Sequence, residues 1–325
     1  MDGQARGIGG APDHGGGVDA AAALHGGVRG DWLDLSTGIN PCAYPLPRLP
    51  PDGWTALPDH AATMALADAA RAFWQVPQGA AVLAAPGASS LIARLPMLAP
   101  PGQVAIPAPT YNEHARAFSL CGWNVVPGGT VAARVVVNPN NPDGRHWTAL
   151  QAAEGLARGG LAIIDESFAD TCPDATLMRM ADQPGTIILK SFGKFWGLAG
   201  LRLGFAIGDP VLIARLAGML GPWPVSGPAL SIGTAALTDT GWTTATRDRL
   251  GRDAQRLDAL MAAHGAQPLG GTDLFRLFDT QDANTWQTRL AARHIWTRVF
   301  PYNTRWLRLG LPGSPQDWAQ LEAAL

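Results

Sequence analysis

The chain contains two lysines among its 24 basic residues, and they stand four positions apart in the run Leu189-Lys190-Ser191-Phe192-Gly193-Lys194-Phe195-Trp196-Gly197. A lysine crowded among apolar groups beside a second cation loses part of its hold on its proton, because burial and the neighbouring charge both disfavour the ammonium form. The free amine is then a nucleophile that condenses with a carbonyl to form a Schiff base. Arg202, eight residues after Lys194, offers a planar fork that grips a phosphate through charge-assisted hydrogen bonds. Gly87-Ala88-Ser89-Ser90 follows an apolar run and opens a helix, where N–H groups and hydroxyls can cradle a phosphate or simply cap the helix. Asp165 closes the apolar run 161–164, as a ligand-facing carboxylate or a loop starter would. Asn138-Pro139-Asn140-Asn141-Pro142-Asp143-Gly144 makes a tight turn and, taken alone, no more than that.

Positioning such groups requires a scaffold. Apolar runs at 82–84, 103–106, 134–137, 161–164, 186–189 and 203–207 alternate with helical stretches, the first at 61–74, which is the rhythm of a mostly parallel α/β sheet. Polar and Gly residues follow several of these runs at once, and in open α/β sheets ligands bind beyond the carboxyl ends of the strands. After Pro210 the pattern changes to long helices, 226–237 and 243–264, and then to short strands near 274–278, 295–299 and 305–309, so a smaller α+β domain is expected. Residues 1 to about 30, with Asp13-His14-Gly15-Gly16-Gly17, are expected to form a flexible arm, order beginning near Trp32, and the Pro- and Gly-rich stretch 32–58 to run extended over a surface.

Composition narrows the partners. The chain has 325 residues, 47% hydrophobic and 15% charged, with a net charge of -2, and no cluster of Lys and Arg of the kind that phosphate backbones demand. Its apolar stretches fall far short of the roughly 20 residues of a membrane span. The N-terminus lacks the basic-then-apolar order of a secretory signal, so a cytoplasmic protein is expected. Cys42, Cys121 and Cys172 are odd in number and widely spaced, which suggests neither a disulfide framework nor a metal site. No G-x-S-x-G elbow follows His14-Gly15-Gly16-Gly17, and no G-x-G-x-x-G joins a strand to a helix; an α/β-hydrolase and a dinucleotide-binding protein are both disfavoured.

Taken together, the motifs resemble those of the class I and II aminotransferases, enzymes of pyridoxal 5'-phosphate (PLP), over roughly residues 32–325. The resemblance implies a Schiff base between PLP and Lys194, with Ser191 and Arg202 on the cofactor phosphate. It implies that Ala88, Ser89 and Ser90 also contact the phosphate, that Asn141 donates to the phenolic oxygen and that Asp165 pairs with the pyridine nitrogen. Pro109-Thr110-Tyr111 resembles the element whose aromatic ring lies over the pyridine. Arg308, in Trp306-Leu307-Arg308-Leu309-Gly310, resembles the arginine that binds the substrate carboxylate, and Arg298 a second anion-binding arginine of phospho-substrate relatives. The implied fold is α/β, PLP-dependent transferase-like. A large domain with a mainly parallel seven-stranded sheet would span 51–222, the small domain 223–325, and residues 1–50 would form an arm and part of the small domain. A homodimer is implied too.

Two positions depart from the pattern. Phe168 stands where many relatives have a Tyr that bonds the phenolic oxygen, and Leu57 where a Tyr reaches the partner's phosphate. His14-Gly15-Gly16 followed by Trp32-Leu33-Asp34-Leu35-Ser36-Thr37-Gly38-Ile39-Asn40-Pro41 is most similar to the L-threonine-O-3-phosphate decarboxylases of cobalamin biosynthesis. That subgroup removes CO2 from a phosphorylated amino acid and leaves (R)-1-amino-2-propanol O-2-phosphate. PLP itself does not choose between losing CO2 and losing a proton; the protein chooses by orienting the substrate. An aminotransferase of the histidinol-phosphate type shares every motif above, and a non-catalytic binding protein on the same fold would lack bound PLP.

Overall fold

The computed structural model describes residues 14–325. The strands are β1 (Leu33–Asp34), β2 (Ala81–Ala85), β3 (Gln103–Ala105), β4 (Asn124–Val126), β5 (Val131–Val137), β6 (Leu156–Asp165), β7 (Thr186–Ser191), β8 (Gly204–Gly208), β9 (Gln267–Thr272), β10 (Phe275–Asp279), β11 (Ile295–Trp296), β12 (Arg298–Phe300) and β13 (Asn303–Gly310). The helices are α1 (Val18–His25), α2 (His60–Phe73), α3 (Ala88–Ile92), α4 (Asn112–Leu120), α5 (Ala149–Ala152), α6 (Pro210–Leu220), α7 (Gly227–Thr238), α8 (Thr240–Ala263), α9 (Ala283–Ala291) and α10 (Pro315–Ala324).

Seven strands form one sheet in the order β2-β8-β7-β6-β5-β3-β4. All run parallel except β8, which is antiparallel to both of its neighbours. Both faces are covered, as a parallel sheet requires. Val135, Ile163 and Ile187 point into one core and Val136, Ile164 and Ile188 into the other, so alternate residues of each strand serve opposite layers.

The reversal of β8 matters for chemistry. Its first residue, Gly204, pairs with Ala85 at the end of β2 and with Ser191 at the end of β7, so the loop before β8 reaches the same edge as the loops after the parallel strands. Arg202 is thereby brought to Gly87. A Cβ on Gly87 would stand 2.6 Å from Arg202 Nη2, and one on Gly204 would stand 2.5 Å from the Ala88 amide nitrogen. Only glycine permits these approaches.

The remaining strands form a four-stranded antiparallel sheet, β12-β13-β10-β9, and a parallel pair, β1-β11. That pair draws the N-terminal segment against the C-terminal strands, and the bond from Gly310 N to the Leu35 carbonyl, at 2.7 Å, fixes it beside β13.

Order begins earlier than the expected Trp32. The run VDAAAALH forms α1, because alanine costs least in a helix and Val18 and Ala21 pack with Trp32 and Ala291. Residues 1–13 of the expected arm lie outside the described residues. Residues 32–58 carry only the two-residue β1 and turns, in keeping with an extended course, although Leu35 and Tyr44 are buried. Among the described residues no helix is long and apolar enough to cross a membrane, no group of His, Cys, Asp and Glu is placed to hold a metal ion, and the three cysteines are free thiols.

Candidate active site

Two cavities adjoin at the C-terminal edge of the large sheet. The inner one, about 120 Å³, is lined by Ala88 and Ser89 after β2, Asp165 at the end of β6, Ser191 at the end of β7, and Arg202. The outer one, about 300 Å³, is lined by His14, Gly15, Thr37, Gly38, Arg298 and Arg308, among others. Tyr111, Asn141, Phe168 and Lys194 line both. Lys194 therefore stands at the junction of two chambers of different chemistry.

Its surroundings set the state of its amine. Burial, followed by the positive charges of Arg308 and Arg202, pushes the Lys194 amine down to about 8, with Asp165 opposing. A fraction of the amine is then free near neutral pH, which an exposed lysine does not offer.

Asp165 is buried. Its Oδ2 lies 2.8 Å from His114 Nε2, and its Oδ1 accepts from the Ser167 N–H at 2.9 Å and the Ser167 hydroxyl at 2.5 Å. Burial favours the neutral acid, but the bond and charge of His114 and the two Ser167 bonds outweigh it, and the carboxyl is held below its ordinary value. Asp165 is therefore an anion at the floor of the inner chamber. His114 escaped the sequence reading. Its only signal was a polar residue on the buried side of α4, four positions before the buried Phe118.

Tyr111 precedes α4, its ring edge-on to His114 with centroids 6.0 Å apart. Burial, then Asp165 and Glu113, pushes its hydroxyl up to about 12, with Arg202 opposing, so it presents a neutral ring to the chamber. Asn141 Oδ1 accepts from Arg308 Nη1 at 2.5 Å, which leaves its Nδ2 for another acceptor. Ser90 lies apart: it lines neither chamber, and its hydroxyl donates to the Gly87 carbonyl at 2.8 Å. Leu57 is exposed and lines neither.

The outer chamber is shaped to take anions. Arg298 and Arg308 pair directly across β12 and β13, so their side chains leave the same face of the sheet. Like charges in that relation repel. Burial first, and then Arg298, lowers the Arg308 guanidinium to about 10. Arg308 Nη2 donates to the Ser36 carbonyl at 2.7 Å, while its buried Nε has no protein partner. His14 Nε2 is 3.0 Å from Glu113 Oε1, and the Gly16 N–H donates to Ser36 Oγ at 2.6 Å. The N-terminal motif, to which the sequence reading gave no site role, thus forms part of the chamber's wall.

These residues fit PLP. The inner chamber offers an amine with a lowered pKa, a buried carboxylate, an amide with its donor side available, and Arg202 with two serines at one end. Residues 52–325 match the aminotransferase class I and II family model.

The chain belongs to the class I and II aminotransferase family.

A threonine-phosphate decarboxylase of Sinorhizobium is 42% identical over 311 residues, covering 92% of each chain. A threonine-phosphate decarboxylase of Pseudomonas aeruginosa is 40% identical over 330 residues, covering 96% of this chain and 97% of its own. A crystal structure of histidinol-phosphate aminotransferase from Sinorhizobium meliloti, in complex with pyridoxal-5'-phosphate, superposes with a TM-score of 0.80 at 18% identity, covering 95% of this chain and 93% of that one. The family model starts at residue 52, after His14, Thr37 and Gly38, so it takes in the inner chamber but not all of the outer one. With 96% of the chain covered, the Pseudomonas match extends into that N-terminal wall.

Proposed function

We propose that the protein is a PLP-dependent carboxy-lyase that converts L-threonine O-3-phosphate to (R)-1-amino-2-propanol O-2-phosphate and CO2, consuming one proton, as a step in cobalamin biosynthesis. The observation that carries the reading is the opposed pair Arg298 and Arg308, on the wall of a chamber that opens directly onto Lys194. A substrate bearing both a carboxylate and a phosphate satisfies two guanidinium groups at once. Likeness to the two decarboxylases over nearly the full chain supports the choice of substrate.

When bound, PLP supplies an electron sink for the pair released as CO2 departs. The chain does the rest. Lys194 would provide the amine that holds the cofactor and a proton donor at Nζ for the substrate's Cα. Asp165 remains ionised to face the ring nitrogen, and Asn141 turns Nδ2 to the phenolic oxygen because Arg308 occupies its Oδ1. Ala88, Ser89, Ser191 and Arg202 take the cofactor phosphate, and Tyr111 covers the ring. Arg308 and Arg298 share the substrate's two anionic groups and so fix which bond at Cα stands ready to break. The large domain spans 51–222 and the small domain 223–325 with part of 1–50. The enzyme works in the cytoplasm as a homodimer.

The test is to incubate the PLP-loaded protein with L-threonine O-3-phosphate and measure CO2 and aminopropanol phosphate, with and without a 2-oxoacid. Decarboxylation that needs no oxoacid is expected. Amino transfer from histidinol phosphate, with no CO2 from threonine phosphate, would replace this reading with that of an aminotransferase.

A further inference from the structure

We infer that Glu166 is a positioning residue whose buried carboxylate holds three cofactor-bearing segments in register from the side of the sheet opposite the cavities. Glu166 is fully buried and follows Asp165 directly. Its Oε2 accepts from Lys190 Nζ at 2.7 Å and from the Thr176 hydroxyl at 2.6 Å. Its Oε1 accepts from the Leu177 N–H at 2.6 Å and from Asn138 Nδ2 at 3.3 Å.

Two of these partners, Asn138 and Lys190, belong to segments that end at the site, while Thr176 and Leu177 anchor the carboxylate from the loop behind it. Asn138 opens the turn that carries Asn141, and its own N–H donates to the Asp165 carbonyl at 2.8 Å. Lys190 precedes Ser191 and stands four residues before Lys194. Because strand residues alternate, Lys190 and Ser191 leave opposite faces of β7. One carboxylate thus ties together the segments bearing Asn141, Asp165 and Lys194 without entering either chamber.

Economy argues the same way. A buried ion pair costs more to desolvate than an apolar pair of the same size, and its replacement by apolar groups is often neutral or better for stability. What an apolar pair cannot supply is directional bonding to several segments at once. The Lys190 ammonium also lies 3.8 Å from Asp170 Oδ1, and Asp170 accepts from Trp74 Nε1 at 2.8 Å. Arg247, on α8, donates to the Asp170 carbonyl at 2.7 Å, so the cluster extends to the helix that leads into the second part of the chain. Burial disfavours the Lys190 charge, but Glu166 and Asp170 more than compensate and raise its pKa. The two lysines are thereby kept apart in function: Lys190 stays an ammonium locked to its partners, while Lys194 is left to react.

The test reads cofactor binding, so it does not depend on which amino acid the enzyme decarboxylates. Glu166→Gln, Glu166→Asp, Asn138→Ala and Thr176→Val are prepared as apoproteins, melted, and titrated with PLP by visible absorbance; the band is then followed against pH in the loaded proteins. Glu166→Gln is expected to melt cooperatively, to bind PLP at least tenfold more weakly and to shift the midpoint of the pH titration. Asn138→Ala and Thr176→Val, which each remove one tie to Glu166 together with the Asn138 bonds to the Ala175 carbonyl and the Trp147 N–H or the Thr176 bond from the Met178 N–H, should weaken PLP several-fold, and Glu166→Asp, which keeps the charge, should lie closest to the wild type. Variants that lose melting temperature but keep the wild-type PLP dissociation constant and pH titration would overturn the inference and leave the cluster a stabilising one only. If Glu166→Gln does not fold, the two single-tie variants decide by the same criterion.

Discussion

Lys194 and Lys190 share a chain segment and differ in what surrounds each amine. Lys194→Ala is expected to abolish the borohydride-reducible PLP adduct, with none appearing on Lys190; peptide mass mapping after reduction reads this directly. The pKa of Lys194 near 8 gives a second expectation. Capture of PLP by the apoprotein needs the free amine, so its rate should climb through pH 8 and level off above it, where an ordinary lysine would go on gaining to about 10.4. The same shift makes apoprotein stability rise with pH between the folded value and the higher unfolded one, because the unfolded chain binds more protons over that interval. Arg308 is the neighbour that depresses Lys194 most. Arg308→Ala should move the plateau in PLP capture to higher pH and weaken threonine phosphate by about 10- to 100-fold, the weight of a charge-assisted bond or two, while PLP remains bound. Unchanged substrate affinity would remove Arg308 from the anion site.

At the scale of elements, the site depends on one strand running against the rest. β8 puts Arg202 where the parallel loops converge, and Gly204 is the residue that lets it lie so close to the start of α3. Gly204→Ala would force a Cβ to within 2.5 Å of the Ala88 nitrogen and 3.1 Å of the Lys190 carbonyl. Overpacking of this kind costs about 1–3 kcal/mol. Because the displaced groups belong to the phosphate end of the inner chamber, PLP affinity should fall by about tenfold or more; a variant that binds PLP normally would show that α3 yields without cost. These elements were unequally legible in the sequence. β5, β6 and β7 announce themselves because strands buried on both faces read as unbroken Val and Ile runs. β4 has only three residues, at the sheet edge, and β9 reads QPLGGT, whose Pro and two Gly carry no strand signal. The motif residues Lys194, Asp165, Asn141 and Arg308 could be named because each sits in a short conspicuous run. His114 could not, since its role comes from a contact with Asp165 fifty-one positions away.

For the whole molecule, the proposed dimer makes its own physical demand. Leu46, Trp54, Leu57 and Trp223 are 66%, 76%, 67% and 57% exposed. Trp54 and Trp223 stand on neighbouring segments, since a Cβ on Gly227 would lie 2.7 Å from the Gly53 carbonyl. Large exposed apolar side chains on neighbouring segments, as Trp54 and Trp223 are, mark a contact that a monomer leaves unmade. Light scattering behind size exclusion should therefore give twice the chain mass at micromolar concentration, and Trp54→Arg with Leu57→Arg should shift it towards one chain. The cofactor extends the argument. Ser89, at the phosphate end of the inner chamber, is exposed, and Leu57 offers no hydroxyl to a neighbour's phosphate. If a second copy closes over Ser89 by some other group, the charge-altered variant should lose PLP as it dissociates, and PLP retention in the wild type should fall on dilution. A monomeric variant that holds PLP as tightly as the wild type would instead mean that Ser191, Arg202 and the start of α3 secure the phosphate within one chain.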